Sequence, residues 1–210
     1  MIEVNFNVSE RDLRKIEDRL GSMRQKAPAV LKSAVNQTAR MARKDLAEEA
    51  QRTYTVKKGG FYKEMKIHYG SNSNPEALIT SQGGVIPLRD FKHSASGGRT
   101  RAQVKKDGSL KDLEKDGIKA FKNNIAARGQ KRKKDTRKGK KGSAVRHIAI
   151  AQRETRERLH IHEKFGPSIP SMLGNEETTY GAVAPGIEKN LSENVEKQIE
   201  RILSPANKCQ

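Results

Sequence analysis

The chain has 210 residues, with 43 Lys and Arg against 25 Asp and Glu, a formal net charge of +18. Hydrophobic residues make up 33% and aromatics 4%, with no Trp, a lower apolar share than an ordinary globular domain has, so the expected core is modest and interfaces with other subunits would supply further burial. No apolar stretch approaches the ~20 residues of a bilayer-spanning helix, Met-Ile-Glu-Val-Asn-Phe at the start lacks a leader pattern, and Cys209, the single cysteine, excludes an internal disulfide, a CxxC zinc site and an iron–sulfur cluster.

Ile2, Val4, Phe6 and Val8 alternate with Glu3, Asn5 and Asn7, the period of a half-buried strand. Ser9 with Asp12 three residues on reads as a capping box. Leu13, Ile16 and Leu20 then form the apolar stripe of a helix that Gly21 stops. Pro28 suits the first turn of a second helix, which runs through Leu31, Ala34, Val35, Thr38, Ala42 and Leu46 to Ala50. Its small, Ala-rich face permits close approach to a sheet or another helix. A strand followed by helices opens an α+β domain.

Beyond Thr53 the pattern turns β-prone. Thr53-Tyr54-Thr55-Val56 is broken by Gly59-Gly60, and a short helix fits Phe61 to Met65. Lys66-Ile67-His68-Tyr69 and Ala77-Leu78-Ile79-Thr80 read as strands joined by the turn-rich Ser71-Asn72-Ser73-Asn74-Pro75. Pro87 makes Val85 to Phe91 an edge or extended segment. Arg101 to Lys105 is a strand, and Ile118 to Phe121 a short extended piece. Ala144 to Ile150 resumes the sheet, Leu159-His160-Ile161-His162 adds an alternating strand, and Phe165 to Pro170 is a rigid apolar turn leading into a helical turn through Met172 and Leu173. Leu191, Val195, Ile199 and Ile202 set a final helix from Glu188 to Leu203, ended by Ser204-Pro205. The chain is read as one α+β domain spanning 1–210, with a mostly antiparallel, partly extended sheet.

Residues 128–141 hold nine Lys or Arg (Arg128, Lys131, Arg132, Lys133, Lys134, Arg137, Lys138, Lys140 and Lys141) and one acid, Asp135. With no large apolar residue, the segment cannot offset its ordering entropy, so 128–143 is expected to be a mobile loop when unbound and 204–210 a flexible tail. Three roles fit the run: release of counterions from DNA without sequence readout, docking onto an acidic protein neighbour, or a solvated loop that keeps the protein soluble. The absence of interleaved aromatics argues against stacking on single strands.

Catalytic chemistry finds little here. His162-Glu163 is followed by Gly166 where a metalloprotease motif needs a second His. His160 and His162 share a strand face and could ligate a metal, but no carboxylate or Cys completes the set, and two solvent- or interface-facing residues is the simpler reading. Gly139-Lys140-Lys141-Gly142-Ser143 lacks phosphate-loop spacing, and no GxSxG or GxGxxG occurs. The expectation is no enzyme, no cofactor and no metal. The C-terminal stripe reads as core packing ahead of a coiled-coil face, covering fewer than three heptads. The Phe165 turn suits either a subunit lock or a packed connection.

Three segments carry a family likeness. Ala34-Val35-Asn36-Gln37-Thr38-Ala39-Arg40, Ile86-Pro87-Leu88-Arg89-Asp90-Phe91 and Phe165-Gly166-Pro167-Ser168-Ile169-Pro170-Ser171-Met172-Leu173 resemble, in order and spacing, the Asn-x-Thr-Ala helix, the Ile-Pro-Leu-x-x-Phe segment and the Phe-Gly-Pro-Ser-Val-Pro-x-Met-Leu turn of the minor tail protein Z family of lambdoid phages, a tail-completion family. The likeness spans roughly residues 28–203. It implies a structural virion protein, made in the host cytoplasm, that acts at the head-proximal end of the tail. It also implies a ring, six-membered by analogy with tail symmetry, with a tail terminator and a head–tail connector or stopper as neighbours. On this reading Pro87, Leu88, Phe91, Phe165, Pro167, Ile169, Pro170, Met172 and Leu173 make subunit contacts. The basic run is not among the family motifs, so its contact with genomic double-stranded DNA or an acidic partner is a separate expectation. The competing function is a non-catalytic, sequence-independent DNA-binding protein acting through that run. With +18 on each copy, the isolated chain is expected to be a monomer or weak oligomer.

Overall fold

The structure is a computed structural model that describes residues 2–6, 10–56, 60–96, 98–115, 117–126, 146–157 and 160–204. The Ser9–Asp12 cap, the basic run, Ala144, Val145, Leu159, Pro205 and Cys209 lie outside what is described of residues or side chains. The fold is α+β, as expected, with antiparallel sheets, an N-terminal strand and a C-terminal helix. Its contacts divide the chain into two compact units, the first of residues 1–53, 58–84 and 168–210, the second of 54–57 and 85–167.

The first unit holds β1 (Ile2–Phe6), α1 (Glu10–Leu20), α2 (Ala27–Thr53), α3 (Gly60–Lys63), β2 (Met65–His68), β3 (Ala77–Ser81), α4 (Ile169–Leu173) and α5 (Thr179–Leu203). The sheet order is β1-β3-β2, with Val4 and Ile67 both opposite Ile79. α1 ends where the sequence places its stop. Gly21 has φ +52, a left-handed turn that a side chain would strain, and a 3-10 turn over Gly21–Lys26 leads into α2. α2 buries Val30, Leu31, Ala34, Val35, Ala39, Ala42, Leu46 and Ala50 along one broad face, with α5, β2 and β3 packed on it. Burying Leu31 or Leu46 stabilises by about 1.5–3 kcal/mol each. The alanines contribute less by transfer but let neighbours approach closely enough for dense dispersion contact. At one end Ile16 and Leu20 close on Val30, Leu31 and Ile199.

The second unit is built of short strands: β4 (Val85–Pro87), β5 (Lys92–Ser96), β6 (Arg99–Gln103), β7 (Lys111–Asp112), β8 (Glu114–Lys115), β9 (Ile118–Lys119), β10 (Phe121–Ala126), β11 (Arg146–Arg153), β12 (Ile161–Glu163) and β13 (Phe165–Ser168). They pair as β5-β6-β7, β8-β9, β10-β11-β12 and β4-β13. Phe91, Ala149, Ile150 and Ala151 are fully buried, and Tyr54, Val56, Leu88, Ala102 and Ala120 nearly so. Polar closure supplements this small core. The Gln103 amide donates to the carbonyls of Lys106 and Gly108, shutting the turn after β6. Thr55 N–H donates to Val104 O at 2.9 Å and its hydroxyl to Gln103 O.

The short helix ends at Lys63, with Met65 opening β2, and β12 starts at Ile161, leaving the left-handed His160 outside it. Three further elements differ from the sequence reading. α5 begins at Thr179 rather than near Glu188 and carries Pro185 inside. A proline there removes one rung of the ladder close to the N-terminus, which the rest of the helix outweighs. Phe165–Ser168 is a strand rather than only a turn, because β4 is available to pair with it. β5 has no apolar alternation and exists through its register with β6, Lys92 opposite Gln103 to Ser96 opposite Arg99.

Candidate functional site

The three family-like segments are the candidate site. The first lies on α2, where each polar member has a partner inside the first unit. Asn36 clamps the backbone of Gly70, its Nδ2 donating to the carbonyl at 3.2 Å and its Oδ1 accepting from the N–H at 2.8 Å. Thr38 Oγ1 donates to Ala34 O at 2.9 Å and accepts from Asn194 Nδ2 of α5, also at 2.9 Å. Gln198 Nε2 reaches Gln37 Oε1 at 3.5 Å, and Ala39 is fully buried. Arg40 Nε donates to Tyr69 OH at 3.3 Å, and its guanidinium lies 5.1 Å from that ring's centre. One turn on, Arg43 stacks on Tyr62 at 3.9 Å and donates twice to the Tyr62 carbonyl. Burial, then Glu48, hold the Asp45 carboxyl above its ordinary value, offset in part by Lys44. The segment is thus occupied in building the fold.

The second and third segments meet in the second unit. β4 pairs with β13, and Leu88 N–H donates to Lys164 O at 3.0 Å. The Phe91 ring fills the space over Gly166, where an added Cβ would stand 2.6 Å from a ring carbon, closer than any real contact. The glycine of one segment is therefore required by the aromatic of the other. At Ser168 the chain returns to the first unit, and the Ser168 side chain caps α4 by accepting from Ser171 N–H at 3.3 Å. α4 packs against α2.

This placement sorts the nine residues expected at a subunit interface. Phe91 is 0% exposed, Met172 and Leu173 are 1% exposed, and Leu88 and Pro170 are also buried. Those side chains are enclosed by their own chain; of the nine, Phe165 (49% exposed) and the part-exposed Pro87, Pro167 and Ile169 reach the surface. Phe165, Pro167 and Leu88 border a hollow of about 530 Å³ within the second unit, floored also by Ala102, Val104 and Leu113, with Lys105, Lys111 and Asp107 among its polar lining. Among the described residues neither lysine has an ion pair. Sequence reasoning missed Val85 and Ile148, each more than half exposed, and the exposed Ile161. Ile148 and Ile150 share one face of β11, yet the first is exposed and the second fully buried, a difference that no alternation in the sequence encodes.

Arg128, Lys131, Arg132, Lys133, Lys134, Arg137, Lys138, Lys140 and Lys141 lie outside the described residues. The strands on either side pair with each other, Ala126 opposite Arg146. His160 precedes β12 with φ +61, and His162 Nε2 lies 2.7 Å from Glu154 Oε1. Among the described residues no group of three His, Cys, Asp or Glu is arranged to hold a metal ion, and no helix is long and apolar enough to cross a membrane. No protein family, curated protein or solved structure matches the chain.

Proposed function

We propose that the chain is a structural subunit of a phage virion, a tail-completion protein that makes the head-proximal end of the tail competent for joining to the head. One observation carries the reading. Two of the three segments that resemble the family are far apart in sequence yet depend on one another, Gly166 lying under the Phe91 ring and β13 pairing with β4. Short motifs matched by chance have no reason to interlock. In this reading the chain forms a ring around the DNA channel, six-membered by family analogy, between a tail terminator and a head–tail connector or stopper. Phe165 and the adjoining hollow take part of a neighbour, and the 128–141 run lies along DNA or an acidic surface.

Reconstruction of the neck of purified particles tests this directly: density for the chain at the head–tail junction is the expected result, and its absence from particles defeats the proposal. Phe165→Ser sharpens the test. The variant should keep slow amide exchange in β4 and β13 while unjoined tails accumulate, and normal joining would remove Phe165 from the interface. The +18 charge favours a second reading, a DNA-binding protein whose charge is its function. That reading expects tight binding of duplex by the isolated chain, with a log–log salt slope of ~0.9 per phosphate neutralised. Replacing Lys131, Arg132, Lys133 and Lys134 by Ser separates the two, since tail completion through shape survives the loss of DNA affinity.

A further inference from the structure

A separate hollow of about 240 Å³ in the second unit is lined by Lys115, Gln152, Arg153, Glu154, His162 and Lys164. Strands rather than loops hold most of these groups. Gln152 on β11 is opposite His162 on β12, and Lys115 on β8 is opposite Ile118 on β9. Lys164 is pinned on both sides of its backbone, its N–H donating to Ile150 O at 2.8 Å and its carbonyl accepting from Leu88 N–H at 3.0 Å. Arg153 is steadied over the Phe121 ring, 5.7 Å from its centre. The Gln152 amide donates to Ile118 O.

Charge in the hollow is unbalanced. It has three permanent cations and one carboxylate, Glu154, whose Oε1 is turned to His162 at 2.7 Å. Among the described residues Lys115 and Lys164 have no ion pair. A small, multiply charged, acceptor-rich anion matches that surplus better than a monocarboxylate, whose two oxygens serve fewer donors. We infer that this hollow is a binding site for a phosphate group. It stands apart from the hollow beside Phe165 and does not rest on the proposed function. Two sources carry the same chemistry: free phosphate or a phosphate-bearing small molecule, and the backbone of DNA. The site lies toward the Arg153 end of β11, about 23 Å by strand rise from Arg146 at the other end.

The test is a titration of the isotopically labelled full-length chain at constant ionic strength of about 0.15 M, following the amide signals of Lys115, Arg153, His162 and Lys164. Inorganic phosphate is one probe and a duplex of ~20 base pairs the other. Phosphate should move these signals along a saturable curve in the millimolar range, ~1–10 mM. Lys164→Met should weaken binding roughly fivefold and Lys115→Met with Lys164→Met more than tenfold, as expected for charge-assisted contacts at a half-exposed site. Glu154→Gln should tighten it by about threefold, a gain that misfolding cannot imitate. If the duplex moves the same signals and phosphate competes with it, the source is nucleic acid; if only phosphate acts, the ligand is a free phosphate-bearing molecule. Shifts that never saturate with phosphate, or binding left unchanged by both Lys164→Met and Glu154→Gln, overturn the assignment.

Discussion

Thr38 and Asn194 allow a prediction with an asymmetry built into it. Both are buried, at 0% and 2% exposure, and the Asn194 amide donates to the Thr38 hydroxyl, which itself donates to Ala34 O. Thr38→Val keeps the volume but leaves the Asn194 amide only the Met41 sulfur at 3.6 Å, a weak acceptor. An amide so stranded costs about 2 kcal/mol. Asn194→Leu is milder, about 0.5–1 kcal/mol, because the hydroxyl keeps Ala34 O. With both partners apolar the site should recover to within about 0.5 kcal/mol of the parent, a coupling of about 2 kcal/mol. Among the described residues all five α-helices lie in the first unit, so far-ultraviolet ellipticity during urea or thermal unfolding follows that unit. Thr38→Val should lower its midpoint by about 8 °C, at roughly 4 °C per kcal/mol. Equal losses from the two single changes, or a double variant as unstable as their sum, would refute the reasoning.

Gly166→Ala should destabilise the second unit by about 1–3 kcal/mol by driving a methyl into the Phe91 ring. Faster amide exchange in β4 and β13 would report it, and adding Phe91→Leu should recover part of the loss. Gly21→Ala should cost about 1 kcal/mol, read from helical unfolding, because φ there is +52. Asp45 has a raised pKa, so the folded chain holds its proton more tightly than the unfolded chain does. The stability contributed by protonated Asp45 is full below the ordinary carboxylate range and is lost as pH rises through the raised value. Asp45→Asn should therefore stabilise the chain at about pH 7 and change little at about pH 3, in paired urea titrations.

Legibility in the sequence followed burial contrast. The alternation of Ile2, Val4 and Phe6 and the stop at Gly21 were readable because strand period and left-handed glycine are local properties. The Ala-rich stretch announced α2 and its close packing. β5, by contrast, reads Lys-His-Ser-Ala-Ser and owes its conformation to its neighbour β6, which no local pattern encodes. Gly181, Pro185 and Gly186 hid the first turns of α5, since all three read as breakers until packing is known. At the candidate site the composition of Phe165–Leu173 was informative but its orientation was not. Met172 and Leu173 face inward and Phe165 outward, a distinction set by the strand-to-helix change at Ser168.

The bond between Thr38 and Asn194 joins residues 156 positions apart, and translation must respect that interval. At ~5–20 residues per second, roughly 6–25 s separate the emergence of Thr53 at the end of α2 from that of Thr179 at the start of α5. Through that window Val30, Leu31, Val35 and Leu46 leave the ribosome without the helix that will lie along them. The nascent chain is then a natural client for chaperones that hold greasy helices apart, and ribosomes stalled in the second unit would release products prone to clump.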